Sequence, residues 1–275
     1  MKPAAFEYQR ASSVAEARAA MCDAAAPAKP IAGGQSLGPM LNLRLARPAR
    51  LVDISRLDEL RGMEDCGTFA RFGAAVTHAR IEDEAGAIAG MGALARAARG
   101  IAYRAVRTRG TLGGSLAHAD PAADWPLVLS ALGATILVQG GQGLRRIDAA
   151  AFMLGSYVTQ LGEDELLTAV EVPKLSASAR WSYRKFCRKA GEFAQAAAAV
   201  LLDPERRVAR VFVGAPADRP TSIPALAGEL ARRGRAALAD NRVEELLRGI
   251  LADAEPARRQ AASVMLARAI DEVLS

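Results

Sequence analysis

The sequence predicts an α+β protein: two α/β segments followed by an α+β segment. Three observations predict it. Near the start, an extended piece, a capped helix and a second strand read as a β-α-β unit. In the middle, short apolar runs alternate with residues at helical spacing. After a polar break at 174–179, extended patterns give way to two amphipathic helices. The boundaries drawn from these shifts are 1–55, 56–175 and 176–275.

Residues 6–8 are extended, and Ser13 with Glu16 reads as a capping box that opens a helix running to about Ala25. The prolines of 27–30 break it, and Ile31 leads into Ala32-Gly33-Gly34-Gln35-Ser36. A short helix over 37–45 and a strand over 51–54 complete the first unit. In the second, 69–76 reads as a strand and 87–98 as a helix, from Ile88, Met91, Leu94, Ala95 and Ala98. A second glycine-rich block follows at Thr111-Leu112-Gly113-Gly114-Ser115. A helix over 126–132 and strands over 135–138 and 165–172 come next. In the third unit, 181–187 and 208–213 are extended, Pro216, Pro220 and Pro224 mark a turn region, and 243–251 and 258–273 are helical.

Composition excludes several classes. Of 275 residues 51% are hydrophobic, enough for more than one core. The longest apolar runs, such as 196–202, fall far short of the roughly 20 residues of a membrane span. No apolar signal core follows Met1, so a cytoplasmic location is the expectation. Cys22, Cys66 and Cys187 stand far apart, which argues against an iron–sulfur or zinc site in this chain and for three reduced, mostly buried thiols. The net charge of +6 comes from arginines spread along the chain, without a basic tract or stacking aromatics. It reads as a solvated surface rather than a nucleic-acid footprint.

The two glycine blocks carry the chemistry. Without Cβ atoms, consecutive peptide N–H groups can turn to one side beside a helix start and accept a phosphate. Ala32, Gly33, Gly34, Gln35, Ser36 and Leu37 would form one such cradle, and Thr111, Leu112, Gly113, Gly114 and Ser115 a second. Two cradles suit a dinucleotide; a block of this kind alone is more often just a tight turn. Asp120 and Asp124 follow the second block. Asp124 is a candidate acceptor for ligand hydroxyls, with helix capping by either acid as the alternative. Neither block has Rossmann or P-loop spacing.

At these residues the chain resembles the FAD-binding medium subunits of molybdenum hydroxylases, the family of xanthine dehydrogenase and aerobic carbon monoxide dehydrogenase. Residues 32–48 resemble their first FAD motif and 107–124 their second; 53–54, 181–194 and 213–220 extend the match. The resemblance implies a vanillyl-alcohol-oxidase-type (PCMH-like) FAD-binding fold with a small α+β C-terminal domain. It implies FAD in this chain, and the molybdenum cofactor and [2Fe-2S] clusters only in partner subunits, one large and one small. The expected assembly is a dimer of heterotrimers that passes electrons to NAD, oxygen or a quinone. Asp124 corresponds to the acid that binds the ribityl chain, Ile101 to a position near the adenine, and either Arg184 or Lys185 to a cation near the flavin. Phe193 falls in a stretch that often approaches the flavin ring, or is a core aromatic. Ser115 stands where many relatives have Asn, a His-x-Ser-x-x-Tyr-Arg stretch is missing, and the region after Pro220 is expected to be short. The rival functions are a self-sufficient flavin oxidase of the same fold and a non-catalytic basic nucleic-acid-binding protein.

Overall fold

The computed structural model describes residues 2–23, 25–238 and 242–275. The first sheet is parallel, with order β1-β3-β2, from β1 (Glu7–Arg10), β2 (Ala28–Ile31) and β3 (Arg50–Asp53). Parallel neighbours need crossovers, and α1 (Val14–Met21) and α2 (Leu37–Asn42) supply them. Ser13 accepts the Glu16 N–H at 3.1 Å, while the Glu16 carboxylate reaches back to the N–H of Ser12 at 2.7 Å, one residue earlier than a capping box requires. Helix α1 stops at Met21, short of the expected residue 25, because the Asp23 side chain takes the Ala25 N–H into a turn.

The second unit contains β4 (Met63–Asp65), β5 (Phe69–Gly73), α3 (His78–Glu84), α4 (Gly92–Arg99), α5 (Arg104–Arg107), α6 (Leu112–His118) and α7 (Asp124–Leu132). It continues with β6 (Thr135–Gly140), β7 (Gly143–Asp148), α8 (Ala149–Phe152), the ribbon β8 (Met153–Gly155) and β9 (Val158–Thr159), and β10 (Leu166–Pro173). The antiparallel sheet has order β4-β5-β10-β6-β7. The helix expected over 87–98 begins only at Gly92, since Gly90 has φ +78° and the chain turns there. Strand β7 escaped the sequence reading because Arg145 and Arg146 break its apolar pattern; they pair with Glu165 and Glu171. Leu57, Leu60, Ala75 and Leu166 share a core cluster with Val52, so the first sheet packs directly on the second unit.

The last unit is an antiparallel sheet of β11 (Arg180–Phe186), β12 (Ala196–Asp203), β13 (Val208–Gly214) and β14 (Thr221–Ser222), with α9 (Pro224–Arg233), α10 (Arg242–Ile250) and α11 (Pro256–Leu274). Pro224 belongs to the first turn of α9 rather than to a loop, where its missing N–H costs nothing. Strand β12 is the alanine-rich apolar run. Ala196, Ala198 and Val200 face the cluster that includes Leu266 and Ile270 of α11. Ala197 and Ala199 face Leu127 and Ala131 of α7. Small side chains let a helix approach each face, and that double burial outweighs alanine's weak strand preference.

Helix α7 is therefore enclosed on all sides. Trp125, Val128, Leu129 and Leu132 enter the core of the second unit, while Leu127 and Ala131 meet the third. A helix that is apolar all round is stable only when so buried. Its first residue is Asp124. Among the described residues no helix is long and apolar enough to cross a membrane. Cys22 is exposed and Cys66 and Cys187 are partly buried, so the expectation of mostly buried thiols does not hold.

Candidate flavin site

The first glycine block leaves the carboxyl end of β2, where open parallel sheets bind ligands. The N–H groups of Gly33, Gly34, Gln35, Ser36 and Leu37 have no acceptor among the described residues. The carbonyls of Gly34 and Ser36 are taken by the N–H groups of Gly38 (2.9 Å) and Met40 (3.1 Å) in α2. Ser36 is the N-cap residue of α2, yet its hydroxyl makes no capping bond. What remains is a run of donors beside a helix start, with Ala32 at its base.

The second block touches the first. A Cβ on Gly33 would overlap the carbonyl oxygen of Arg109 and lie 2.6 Å from its carbon and 2.9 Å from the Gly110 Cα. Only a residue without a side chain permits that approach. The Arg109 Nε–H donates to the Gly33 carbonyl at 3.4 Å.

The amides of the second block from Leu112 to Ser115, unlike those of the first, are already bonded within the protein. Leu112 N–H donates to the Val76 carbonyl (3.0 Å) and Gly113 N–H to the Ala74 carbonyl (2.8 Å). Gly114 N–H donates to the Thr111 hydroxyl (3.1 Å) and Ser115 N–H to the Thr111 carbonyl (3.0 Å). A Cβ on Gly113 would stand 2.6 Å from that of Ala74. These donors are consumed by the loop after β5 and by the N-cap of α6, so the block is a brace. Gly114 is exposed and Ser115 partly so.

Behind the brace, the His78 imidazole lies so close to Gly110 that a Cβ there would be 2.8 Å from Cδ2 and Nε2. His78 Nδ1 accepts the indole N–H of Trp125 at 3.0 Å. Burial, with a smaller push from the Arg107 charge, lowers the imidazole's pKa to about 4, so it is neutral at pH 7. Gly33, Gly110, His78, Trp125 and Asp124 thus form one contiguous chain of contacts.

Asp124 is buried, and neither alternative cap is seen: Ala123 is the N-cap residue of α7, and Asp120 accepts the Ala122 N–H at 2.9 Å in its own turn. Asp124 Oδ1 accepts from the Tyr183 hydroxyl (2.8 Å) and the Lys185 ammonium (2.6 Å). Its Oδ2 has no partner among the described residues. Lys185 also donates to the Gly100 carbonyl at 2.9 Å, next to the partly buried Ile101. The Ile101 carbonyl is itself held by Arg107 (2.9 Å), whose guanidinium pairs with Glu82 (2.7 Å).

The choice between Arg184 and Lys185 follows from strand geometry. Neighbours on a strand point to opposite faces. Tyr183 and Lys185 face Asp124. Ser182 and Arg184 face α11, where both meet Glu272, Arg184 at 2.9 Å. Arg184 is thus removed from the candidate set that Asp124 defines. Phe193 is 58% exposed, which excludes the core-aromatic alternative. His118 closes α6 with its ring 5.2 Å from that of Tyr157, and its pKa is lowered mainly by burial.

Residues 4–175 match the family described as the FAD binding domain in molybdopterin dehydrogenase. The chain belongs to this family. The nicotine 6-hydroxylase medium subunit of Paenarthrobacter nicotinovorans is 38% identical over 230 residues, 82% of this chain and 79% of that one. The carbon monoxide dehydrogenase medium chain of Hydrogenophaga pseudoflava is 39% identical over 202 residues, 74% and 70% of the two chains. In structure, the carbon monoxide dehydrogenase of Hydrogenophaga pseudoflava superposes with a TM-score of 0.90 at 33% identity, covering 99% of this chain and 98% of that one. Quinoline 2-oxidoreductase of Pseudomonas putida 86 superposes at 0.88 and 31% identity, covering 100% and 98%. This molybdopterin dehydrogenase family member therefore has the PCMH-type fold, carries FAD, and is an oxidoreductase subunit. The superposition covers 99% of this chain and so includes the helices after Pro220, which corrects the expectation of a short tail.

Sequence reasoning missed three residues in contact with the candidate site: His78, Trp125 and Tyr183. For Tyr183 a signal existed, since period-2 alternation pairs it with Lys185. For His78 and Trp125 none did, because only the fold brings them together.

Proposed function

We propose that this chain is the flavin-carrying medium subunit of a molybdenum hydroxylase with a small [2Fe-2S] subunit and a large molybdopterin-containing subunit. It accepts electrons from the iron–sulfur partner and passes them to an external acceptor such as NAD, oxygen or a quinone. The observation that carries this reading is the seating of Gly33 on Arg109 and Gly110, which leaves the amides of 33–37 as free donors. FAD, when bound, supplies interconversion of one-electron and two-electron exchange.

The chain's own residues hold and orient it. The amides from Gly33 to Leu37, with the Gln35 and Ser36 side chains, fit a pyrophosphate. The brace from Thr111 to Ser115 fixes their direction and adds exposed Gly114 and Ser115 at its rim. Asp124 Oδ2 suits hydroxyls of the ribityl chain, which donate to a carboxylate and would be poorly served by a phosphate-binding cation. Ile101 lies at the end of the site fixed by Arg107. Lys185 spends two of its three N–H donors on Asp124 and Gly100, so it acts first as an anchor for that acid.

Titrating the purified full chain with FAD tests the reading. The expected result is near-stoichiometric uptake with bound-flavin absorption bands, and a roughly 10- to 100-fold weaker affinity in Asp124→Asn, the cost of a charged hydrogen bond. A colourless chain whose spectrum and stability FAD leaves unchanged overturns it.

A further inference from the structure

The matched FAD-binding residues end at 175, yet two side chains that hold Asp124 come from β11, beyond that limit. One of them is a tyrosine. We propose that Tyr183 is a positioning residue for the flavin. Its phenol and Lys185 saturate one oxygen of Asp124 and so present the other to a ligand hydroxyl. The inference rests on the flavin reading above and assigns it a residue.

The geometry supports this in three ways. Both donors converge on the same atom, Oδ1, at 2.8 and 2.6 Å. A carboxylate gripped at one oxygen has its remaining lone pairs fixed in direction, because the group is planar. The Tyr183 ring is itself immobilised, packed against the core of the second unit and against the cluster where α7 meets β12 and β13. Burial first, then the Asp124 carboxylate, raises the phenol's pKa well above its usual value, so the hydroxyl stays a donor throughout the working range.

Strand β11 is held from behind as well. Ser182 and Arg184 both engage Glu272 of α11 on the opposite face. The C-terminal unit therefore sets the depth at which Tyr183 meets Asp124, and the flavin site is completed by a unit that lies outside the family's FAD-binding residues.

Removing only the hydroxyl, Tyr183→Phe, keeps the packing. Two ligands separate positioning from general support. FAD carries ribityl hydroxyls that reach Asp124 in this scheme; ADP has the diphosphate and adenosine and no ribityl chain. Affinities of the full chain for both are measured, ADP by displacement of FAD. Tyr183→Phe is expected to weaken FAD about 5- to 10-fold, the scale of one hydrogen bond acting through a second group, and to leave ADP within about twofold. In an Asp124→Ala background the same change is expected to alter FAD affinity by less than about twofold, as coupled residues are not additive. Should Asp124→Ala not fold, Asp124→Asn takes its place, with a coupling reduced rather than abolished. Equal losses for FAD and ADP, no loss for either, or additive losses would overturn the role of Tyr183 and leave the flavin assignment standing. A wild-type chain that binds neither ligand would instead overturn the reading on which it rests.

Discussion

The two glycine blocks have similar letters and opposite duties. The first, Gly33 to Leu37, keeps its amides free of protein acceptors. The second, Leu112 to Ser115, gives all of its amides to Val76, Ala74 and Thr111. One block is a donor array and the other is the surface that holds it in place. Their contact at Gly33 is what makes them one device. The lesson is that a glycine-rich motif has to be judged by where its N–H groups go, since the same residue types serve binding in one place and packing in another.

The sharpest way to break this division is at the contact. Gly33→Val drives a branched side chain into the Arg109 backbone, which cannot yield, and separates the blocks. The expected loss in FAD affinity is on the order of 100-fold, since overpacking of this kind costs about 3 kcal/mol; equilibrium dialysis with FAD checks it. Unchanged affinity would mean that the array does not depend on its brace.

The support behind the brace gives a second, smaller effect with a defined pH window. His78 is neutral in the fold, its pKa lowered from 6.5 to about 4. Below the unfolded value the unfolded chain takes up the proton first, so stability is present above about pH 6.5 and is lost as the pH falls toward 4. At pH 5 the penalty is about 2 kcal/mol. A protonated His78 would also turn an N–H toward the Trp125 N–H. Denaturant unfolding at pH 7 and pH 5 is expected to show a fall in the wild type that exceeds the fall in His78→Gln by about that amount. Parallel falls would remove His78 as the acid-sensitive support.

The smallest effect sharpens the distinction. Thr111→Ala deletes the cap that occupies the Gly114 N–H, costing about 1 kcal/mol of stability. It also frees an amide at the rim. A melting experiment is expected to show the stability loss, while FAD affinity changes by no more than about threefold. A large affinity loss at intact stability would make the second block a binding array after all.

Several features were legible in the sequence because they are local. The Ser13 cap, the strand at 50–53 and the placement of the first block between strand and helix depend on residues within one turn or strand of each other. So does the helix that Asp124 opens. What was not legible depends on distant partners. The second block looks like a cradle until Ala74 and Val76 arrive to take its amides. Asp124 looks like a cap or a ligand until Tyr183 and Lys185 reach it from another sheet. Strand β12 reads only as an apolar run, since alanine's weak strand preference is outweighed by helices pressing on both faces. Pro224 reads as a loop breaker because proline is as much at home in a helix's first turn as in a turn between helices.

Strand β11 works as a two-sided bracket, with alternate residues committed to different owners. Deleting one residue ahead of Tyr183 would turn the strand inside out. Arg184 would swing toward the acid at the head of α7, and the phenol and the amine would be thrust at the C-terminal helix. A net positive partner would still reach Asp124, so gross charge would survive while the angle of approach would not. The strand is thus more sensitive to the number of its residues than to the charge they carry.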